Sequence, residues 1–257
     1  MRKDSFRVLL FAAAISFASP VAPLADKIEE KYAHASELLW KADLKGAQRE
    51  FKDIVQRKPQ YRSAEVLLGL TLAKLSEQPE KNGDQAGALA QLREALRFDP
   101  EEAYWHSALA KLLRAQGNGK EARKECARAA KLSPDDSDLA RGCGFGGSPE
   151  IGKDKTLPYW RDLLVAKSST QAIALYRPAP AYSEKARAAR LQGTLALWLV
   201  VGIHGNVEEA AIDKPLGLGL DESALHAVRT WQFKPATLNG APTRVRVDVD
   251  EISFHLF

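Results

Sequence analysis

The sequence predicts a multidomain protein in which an all-α helical-repeat solenoid precedes a small α+β domain. Between about residues 28 and 134, apolar residues recur at helical spacing, and each set is followed by proline. After Gln192 the apolar residues alternate at every second position instead, which is typical of strands. A chain of 257 residues, 45% of them hydrophobic, is long and apolar enough for about two domains.

The helical half contains one pattern three times: a small residue, apolar residues four and seven positions later, and proline at the twelfth. The three sets are Ala47, Phe51, Ile54 and Pro59; Ala88, Leu92, Ala95 and Pro100; and Ala122, Cys126, Ala129 and Pro134. Steps of four and seven place side chains on one helical face, and proline ends the helix. Pro100 and Pro134 are 34 residues apart, whereas the preceding interval is longer by a loop at Glu77–Gly83.

This pattern resembles the tetratricopeptide family over residues 28–134, as three repeats. The resemblance implies a concave groove, lined by the first helix of each pair, that binds peptides. Tyr104, Ser107, Lys111 and Arg114 would face it from the third unit. Lys111 and Arg114 are then candidate partners for carboxylates, and the alternative is an ordinary solvated helix face.

Residues 135–176 are interpreted as a linker with a capping helix. Thr156 and Pro158 are typical of a helix start, and Leu157–Lys167 would cover the end of the repeat array. The glycines of Arg141–Gly147 follow a helical array rather than a strand, and no Gly-Lys-Ser/Thr follows them. A phosphate-binding loop is therefore excluded.

The C-terminal segment from Gln192 predicts a hairpin and a helix. Gly193–Val201 is a strand, Gly202–Asn206 a turn and Val207–Ile212 the returning strand. Asp221 is expected to cap a helix with Ala224, Leu225 and Val228 on one side.

The last strand carries two apolar sets that are out of phase. Val245, Val247 and Val249 alternate with polar residues, and Ile252, Phe254 and Leu256 continue one position later. A β-bulge at Asp250–Glu251 would return both sets to the same face.

Several short motifs in this segment resemble the C-terminal domain of the TonB family. They are Ala186-Arg187, Leu191-Gln192-Gly193-Thr194, Gly205-Asn206-Val207, Leu220–Leu225, Ala227–Ala236 and Gly240-Ala241-Pro242. The resemblance implies a three-stranded antiparallel sheet over residues 177–257 that docks an extended partner segment as an added strand. The docking region would be Arg177–Tyr182 with Val245–Phe257, unless these residues only complete the fold. Phe254, Leu256, Trp231 and Phe233 are expected in the core.

The candidate partner-binding residues are Arg177, Tyr182, Arg244, Arg246 and Asp248, together with Lys111 and Arg114. No cofactor or metal ligand set is expected, because no histidine has a partner at metal-ligand spacing. We find no nucleophile motif, and we interpret the acidic pairs Glu29–Glu30, Asp135–Asp136 and Glu208–Glu209 as solvated surface. The chain is therefore not expected to be an enzyme.

The N-terminus resembles an export signal. Arg2, Lys3 and Arg7 precede the apolar run Val8–Ala18, and small residues follow up to residue 25. Residues 1–25 are either a cleaved signal peptide or a retained anchor, so a membrane partner is expected only in the second case. Both place the body outside the cytosol, where Cys126 and Cys143 can form a disulfide.

The preferred functional hypothesis is a periplasmic adaptor with protein partners, such as an outer-membrane transporter or other envelope proteins. One alternative is a membrane-anchored energy transducer; another is a structural envelope protein that self-associates or binds peptidoglycan. The net charge of +4 includes no dense basic patch with interleaved aromatic residues, which argues against a nucleic-acid partner.

Overall fold

The computed structural model describes residues 22–77, 84–141 and 169–256. Paired helices come first and are followed by a domain of strands and two helices. The helices of the array are α1 (Ala22–Trp40), α2 (Leu44–Arg57), α3 (Arg62–Ser76), α4 (Gln85–Phe98), α5 (Ala103–Ala115), α6 (Gly119–Leu132) and the short α7 (Ser137–Ala140). The predicted signal segment up to residue 21 and the helix Leu157–Lys167 lie outside the described residues, as does most of the loop Glu77–Gly83.

The predicted repeats are confirmed as three helix pairs, α1–α2, α3–α4 and α5–α6. The small and apolar residues of the pattern are all buried on the second helix of each pair: Ala47, Phe51, Ile54, Ala88, Leu92, Ala95, Ala122, Cys126 and Ala129. Each of these helices ends two residues before its proline. Because a single pair cannot bury its apolar face alone, the stacked pairs share one core.

Two second helices begin with the same cap. The carboxylate of Asp43 accepts a hydrogen bond from the Gly46 amide at 3.0 Å. Asp84 does the same for Gly87 at 2.8 Å. Each cap satisfies an amide that has no partner within its helix and contributes about 1 kcal/mol.

The segment assigned to the linker begins with a helix. Asp136 is the N-cap of α7, and its carboxylate accepts hydrogen bonds from the amides of Asp138 and Leu139, both at 2.9 Å. Leu139 is buried against Ala103 and Ala129, so α7 continues the packing of the repeat array.

Cys126 is disulfide-bonded. Cys143, the second cysteine of the chain, lies outside the described residues, so the pairing of the two remains a prediction.

The predicted three-stranded antiparallel sheet is confirmed, in the order β3–β2–β7. The strands are β1 (Ile173–Tyr176), β2 (Gly193–Val201), β3 (Val207–Lys214), β4 (Gln232–Lys234), β5 (Ala236–Leu238), β6 (Ala241–Thr243) and β7 (Val245–Phe254). Two smaller ribbons, β1–β4 and β5–β6, flank the sheet. The helices of this domain are α8 (Glu184–Ala188) and α9 (Leu220–Arg229).

The bulge predicted in the last strand is confirmed by the register. Leu195 pairs with Ile252 and Leu197 with Val249, so three steps on β7 span two steps on β2. The extra residue lies at Asp250–Glu251, as the change of phase predicts. Val245, Ile252 and Phe254 are accordingly all buried in one core.

The predicted hairpin turn between β2 and β3 is also present. The Gly202 amide donates to Asn206 O at 2.9 Å, and the Gly205 amide donates to Gly202 O at 3.0 Å. Gly205 has φ +83°, a conformation that favours glycine.

The cap predicted for α9 is wrong. Gly219 is the N-cap residue, with φ +79°, and Asp221 lies inside the first turn. The Asp221 side chain is fully buried, and its carboxylate accepts hydrogen bonds from Leu216 N at 2.8 Å and Gly217 N at 2.7 Å. The carboxylate therefore closes the loop before the helix rather than the helix itself.

One hydrophobic core extends through both parts of the molecule. It includes Leu67 and Leu70 of α3 together with Leu218 and Leu220 at the start of α9. The C-terminal domain is thus packed onto the repeat array and not tethered beside it. Among the described residues, we find no helix with both the length and the apolar character needed to cross a membrane.

Candidate functional site

One edge of the three-stranded sheet is covered by the repeat array. On β3, the Ala210 amide donates to Ser137 Oγ at 3.3 Å and the Ile212 amide donates to Asp136 Oδ2 at 2.9 Å. Residues two apart on a strand direct their amides to the same side. The outer edge of β3, which we call the closed edge, is therefore hydrogen-bonded to the start of α7.

Asp136 is the centre of this contact. Its side chain is 1% exposed, and Oδ2 also accepts a hydrogen bond from the Tyr104 hydroxyl at 2.9 Å. Burial, reinforced by the Asp136 charge, raises the pKa of Tyr104 well above its ordinary value. The interpretation of Asp135–Asp136 as solvated surface is wrong for Asp136, since its carboxylate bonds both the array and the sheet.

Polar contacts from α1 and from the α4–α5 loop also hold the domain in place. Lys185 of α8 lies 3.1 Å from both carboxylate oxygens of Asp99, which is 1% exposed. The hydroxyl of Tyr32 on α1 donates to Ala189 O at 2.9 Å. A buried carboxylate with no cation nearby would be costly, so this pairing favours one seating of the domain.

Two buried carboxyl groups lie at the middle of the contact. Glu102 Oε2 accepts a hydrogen bond from the Leu218 amide at 3.0 Å, whereas Oε1 is buried without a partner. Burial, with the nearby acidic charges as a smaller cause, raises the Glu102 pKa well above its ordinary value. Burial likewise raises the pKa of Asp221 to about 7.

The hydrogen bonds of the closed edge also fix which way β2 faces. In an antiparallel sheet, successive residues direct their backbone groups alternately to the two neighbouring strands. Because Ala210 and Ile212 face away from β2, Ala211 faces it and pairs with Trp198. The residues on either side of Trp198, Leu197 and Leu199, therefore bond to β7.

The opposite edge of the sheet is open. Leu197 pairs with Val249, and Asp248 lies opposite Trp198, so the backbone N–H and C=O of Asp248 point away from the sheet. The same alternation beyond the bulge directs those of Ser253 outward. In the described part of the chain, no strand pairs with this side of β7, which we call the open edge.

Arg177, a predicted partner-binding residue, lies on the surface above a core residue. Its guanidinium carbon is 4.2 Å from the ring centroid of Trp231, which is 3% exposed. The Trp231 indole N–H donates to Pro178 O at 3.1 Å. The segment that carries Arg177 is thus attached to the domain, and the prediction of Trp231 as a core residue is confirmed.

Tyr182 is half-buried near the end of β7. Its hydroxyl donates to Leu191 O, and its ring packs edge-on against Phe254 with centroids 5.6 Å apart. Desolvation raises the pKa of Tyr182. Phe254 and Phe233 are buried, as predicted.

Arg244 precedes β7 and is held within the molecule. Its Nε lies 2.6 Å from Glu208 Oε2 and its Nη2 lies 3.3 Å from Glu209 Oε1. The predicted role of Arg244 in partner binding would require these contacts to open, whereas the outward backbone of β7 is already accessible.

Arg246 and Asp248 lie together on the face of the sheet away from the main core. The Arg246 guanidinium is 4.5 Å above the Trp198 ring and 3.2 Å from Asp248 Oδ1. The Trp198 indole N–H donates to Asp138 Oδ2 at 3.3 Å. These side chains cover one face of the sheet and bond to one another. The groups of β7 that stay without a partner strand in the described chain are therefore the outward backbone N–H and C=O.

Lys111 and Arg114 line an open cavity of about 970 Å³ between the array and the domain. Tyr104 and Ser107, the other two residues predicted to face the repeat groove, line it as well. The groove predicted for the repeats is therefore partly filled by the chain's own C-terminal domain.

Sequence reasoning missed the residues that close the β3 edge. Asp136 and Ser137 follow Pro134 in a pattern typical of a helix N-cap, which could have indicated a helix there. Nothing in the sequence pairs Glu102 with Leu218, because they are 116 residues apart. Among the described residues, no cluster of histidine, cysteine or acidic side chains could hold a metal ion.

Comparison with known proteins matches both parts of the chain. Residues 178–256 match the family model for the C-terminal domain of the Gram-negative bacterial TonB protein, and residues 81–143 match a tetratricopeptide repeat model. Protein TonB from two strains of Xanthomonas campestris pv. campestris is 38% identical over 74 residues. That match covers 28% of this chain and 33% of the relatives, so the chain spans about a third of their length.

Solved structures with some likeness include an O-GlcNAc transferase from Thermobaculum terrenum, at 29% identity and TM-score 0.31, covering 43% of this chain and 20% of that one. MamA from Desulfovibrio magneticus RS-1 has 18% identity and TM-score 0.33, with 44% and 59% covered. The two family matches, and not these structures, show that the chain contains tetratricopeptide repeats followed by a TonB-type C-terminal domain, and both kinds of module mediate protein–protein interaction.

Proposed function

We propose that this chain is a periplasmic adaptor whose TonB-type domain docks an extended partner segment by strand addition along the open edge of β7. The signal-like N-terminus and the likeness to protein TonB support an envelope location. The partner would be an extended segment of an outer-membrane transporter or another envelope protein.

The observation that carries this proposal is the difference between the two sheet edges. An unpaired strand edge presents N–H and C=O groups that an extended peptide can bond. The closed edge has its amides bonded to Asp136 and Ser137. The open edge presents the backbone of Asp248 and Ser253, so an added strand would bind there.

The repeats have a structural part in this proposal. They cover the β3 edge and hold α8 through the Lys185–Asp99 ion pair, so they fix the direction in which the β7 edge faces. A partner that binds elsewhere on the array would then be held at a defined distance from the docked strand.

The decisive experiment removes one outward amide without disturbing the sheet. Asp248→Pro deletes an N–H that does not bond to β2, whereas Asp248→Ala removes the side chain and keeps that N–H. The parent chain and both variants carry a photo-crosslinking residue at the exposed position Glu251 and are expressed in the native host. The measurement is the yield of the crosslinked partner that the parent chain forms.

Strand addition predicts that the alanine variant captures the partner as the parent does and that the proline variant loses it by about tenfold or more. Mapping of the crosslinked peptide should place the contact in an extended segment. Equal capture by the proline and alanine variants, with both folded, would rule out docking along β7.

Self-association is a second candidate function, favoured by one observation. The β1 strand is exposed along its length, with Ile173 55%, Leu175 70% and Tyr176 59% exposed. Exposed apolar side chains on a short strand are typical of a contact surface. Light scattering of the parent and of Leu175→Lys tests this: a dimer lost in the variant supports it, and a monomer at all concentrations excludes it.

A further inference from the structure

We propose that the contact between the repeats and the TonB-type domain is a pH-dependent switch, in which a proton on Glu102 keeps the domain packed on the repeats and loss of that proton releases it. Glu102 is the N-cap residue of α5, on the repeat side of the contact. The contact does not depend on strand addition at the open edge, so the two proposals succeed or fail separately.

The loop before α9 is held by carboxyl groups from both sides of the contact. The amides of Leu216 and Gly217 donate to Asp221 of the domain at 2.8 and 2.7 Å. The next amide, that of Leu218, donates to Glu102 Oε2 of the repeats at 3.0 Å. Because the two carboxyl groups bond to adjacent amides, they lie close together across the boundary between the domains.

Glu102 has no cation paired with it. Its side chain is 4% exposed, Oε1 is buried without a hydrogen bond, and no ion pair joins Glu102 to the described residues. The ammonium of Lys185 pairs with Asp99 at 3.1 Å, and the charge of Lys74 acts on Asp221. Since a buried, unpaired carboxylate is far more costly than a neutral carboxyl group, the packed arrangement favours the protonated form of Glu102.

The charges that act on Glu102 across the contact are acidic. Burial raises the pKa of Glu102 well above its ordinary value, and the charges of Glu222, Asp221 and Asp99 raise it further. His106, one turn later on α5, is bonded to Glu125 of α6 at 2.6 Å. The other titratable groups at the contact and along its cavity are Asp136, Tyr104, Lys74, Lys185, Lys111 and Lys214.

Ionisation of Glu102 therefore places a negative charge opposite two acids of α9, Asp221 and Glu222. Movement of the domain away from the repeats relieves this repulsion and returns the carboxylates to water. A carboxyl group whose pKa is raised in the packed state stabilises packing below its ordinary pKa, and this contribution is lost as the pH rises through the raised value. For Asp221, which burial raises from 3.8 to about 7, the loss is complete above neutral pH.

Release of the domain would change which edges of the sheet are available. The amides of Ala210 and Ile212 are bonded to Ser137 and Asp136 of the array, so they lose these acceptors when the domain moves away. The closed edge would then present unpaired backbone groups, as the open edge already does.

The test is amide hydrogen exchange of the full chain at about pH 6 and about pH 8.5, with each rate corrected for the intrinsic pH dependence of exchange. The Ile212 amide reports on the contact, and the Leu199 amide, in the central strand, reports on the sheet itself. The variants are Glu102→Gln, Asp221→Asn and the two combined. Glu101→Gln, at an exposed neighbouring position, is the matched control.

In the parent, we expect the protection of Ile212 to fall by about tenfold or more between these pH values, because a pKa raised from 3.8 to about 7 changes the contribution of one carboxyl group by that factor. Leu199 should stay protected. The fall should be smaller in each single variant, less than about twofold in the combined variant, and as large as in the parent in Glu101→Gln.

Equal protection of Ile212 at both pH values in the parent would show that the contact does not respond to protons. An undiminished fall in the combined variant would assign the response to other groups, and the proposal would be wrong. If Leu199 loses protection together with Ile212, the domain unfolds and a switch at the contact is excluded. Circular dichroism at the lower pH checks folding, and the single variants are independent tests if one of them does not fold.

Discussion

The two edges of the central sheet differ in their hydrogen bonding, although both belong to antiparallel strands of similar length: the β3 edge is bonded to the repeat array, and the β7 edge is open. At β3, the amides of Ala210 and Ile212 are bonded by side chains of a short helix that belongs to the repeat array. At β7, the backbone of Asp248 faces outward and no strand of the described chain pairs with it. A sheet with one covered edge can accept an added strand on one side only.

This difference indicates a structural role for the repeats that is separate from their groove: they cover one edge of the sheet. An uncovered strand edge promotes unspecific pairing with other chains. By covering β3, the array removes one such edge and leaves the bulged β7 edge, with which no strand of the described chain pairs on its outer side. In the proposed function, the array thereby selects the edge that docks a partner.

The largest effect is expected from Asp136→Ala. This substitution leaves the Ile212 amide and the Tyr104 hydroxyl without their acceptor and removes the α7 cap, at a cost of roughly 3–5 kcal/mol. Asp135→Ala is the matched control, because the neighbouring Asp135 is mostly exposed and pairs with Arg229 at the surface. Equal loss of stability for the two variants in urea unfolding would show that β3 is not held by Asp136.

A pair of proline substitutions compares the edges directly. Ile212→Pro removes an amide that Asp136 binds and should lower the free energy of unfolding by about 3 kcal/mol. Asp248→Pro removes an outward amide and should cost less than about 1 kcal/mol, since proline is tolerated on an open strand edge. The comparison fails if the two prolines destabilise the protein equally.

A smaller, pH-dependent effect on stability is expected from Asp221, which is buried where the C-terminal domain packs on the repeats. Burial raises the Asp221 pKa from 3.8 to about 7, so the folded state holds this proton over a range in which the unfolded state has lost it. Asp221 therefore favours folding below about pH 4, and that contribution is lost as the pH rises to 7. The free energy of unfolding of the parent, minus that of Asp221→Asn, should therefore decrease between about pH 4 and pH 7. Thermal unfolding of both proteins over this pH range measures it.

A difference between parent and variant that stays constant, or grows with pH, would mean that Asp221 is ionised throughout. Glu102 has a pKa raised in the same direction, so the variant should keep part of the pH dependence.

The smallest effect is expected from Arg244→Ala. Arg244 joins the β7 end of the sheet to Glu208 and Glu209, but its side chain is 41% exposed, so solvent screens these pairs. A loss of about 0.5 kcal/mol is expected, with no change in partner capture. A strong loss of capture would place the docking contact at Arg244 itself rather than on the β7 backbone.

Local patterns in the sequence predicted the repeats, the hairpin turn and the bulge at Asp250–Glu251, because each depends on spacing within a few residues. The contact between the domains was not predictable in this way. The bond from Asp136 to Ile212 joins residues 76 apart, and its formation depends on how two surfaces pack. The position of Asp221 in the sequence suits a helix cap, so local patterns predicted one there. Only the tertiary fold shows that Gly219 is the N-cap and that Asp221 is buried in the first turn.

The candidate site was predictable only in part. The region of β7 followed from the resemblance to the TonB family, and Asp248 was among the residues named for it. The direction of the Asp248 backbone could be decided only from the hydrogen bonds on the far side of the sheet. That β3 is the closed edge and β7 the open one depends on Asp136 and Ser137, which sequence reasoning assigned to surface and linker.

The most direct test of this account is amide hydrogen exchange of the full chain in the absence of any partner. We predict slow exchange for the amides of Ala210 and Ile212, which the repeat array binds, and fast exchange for Asp248, which faces solvent. Fast exchange at Ile212 would show that the repeats do not close β3. Protection of Asp248 comparable to that of Ile212 would show that β7 is already paired, and strand addition there would be excluded.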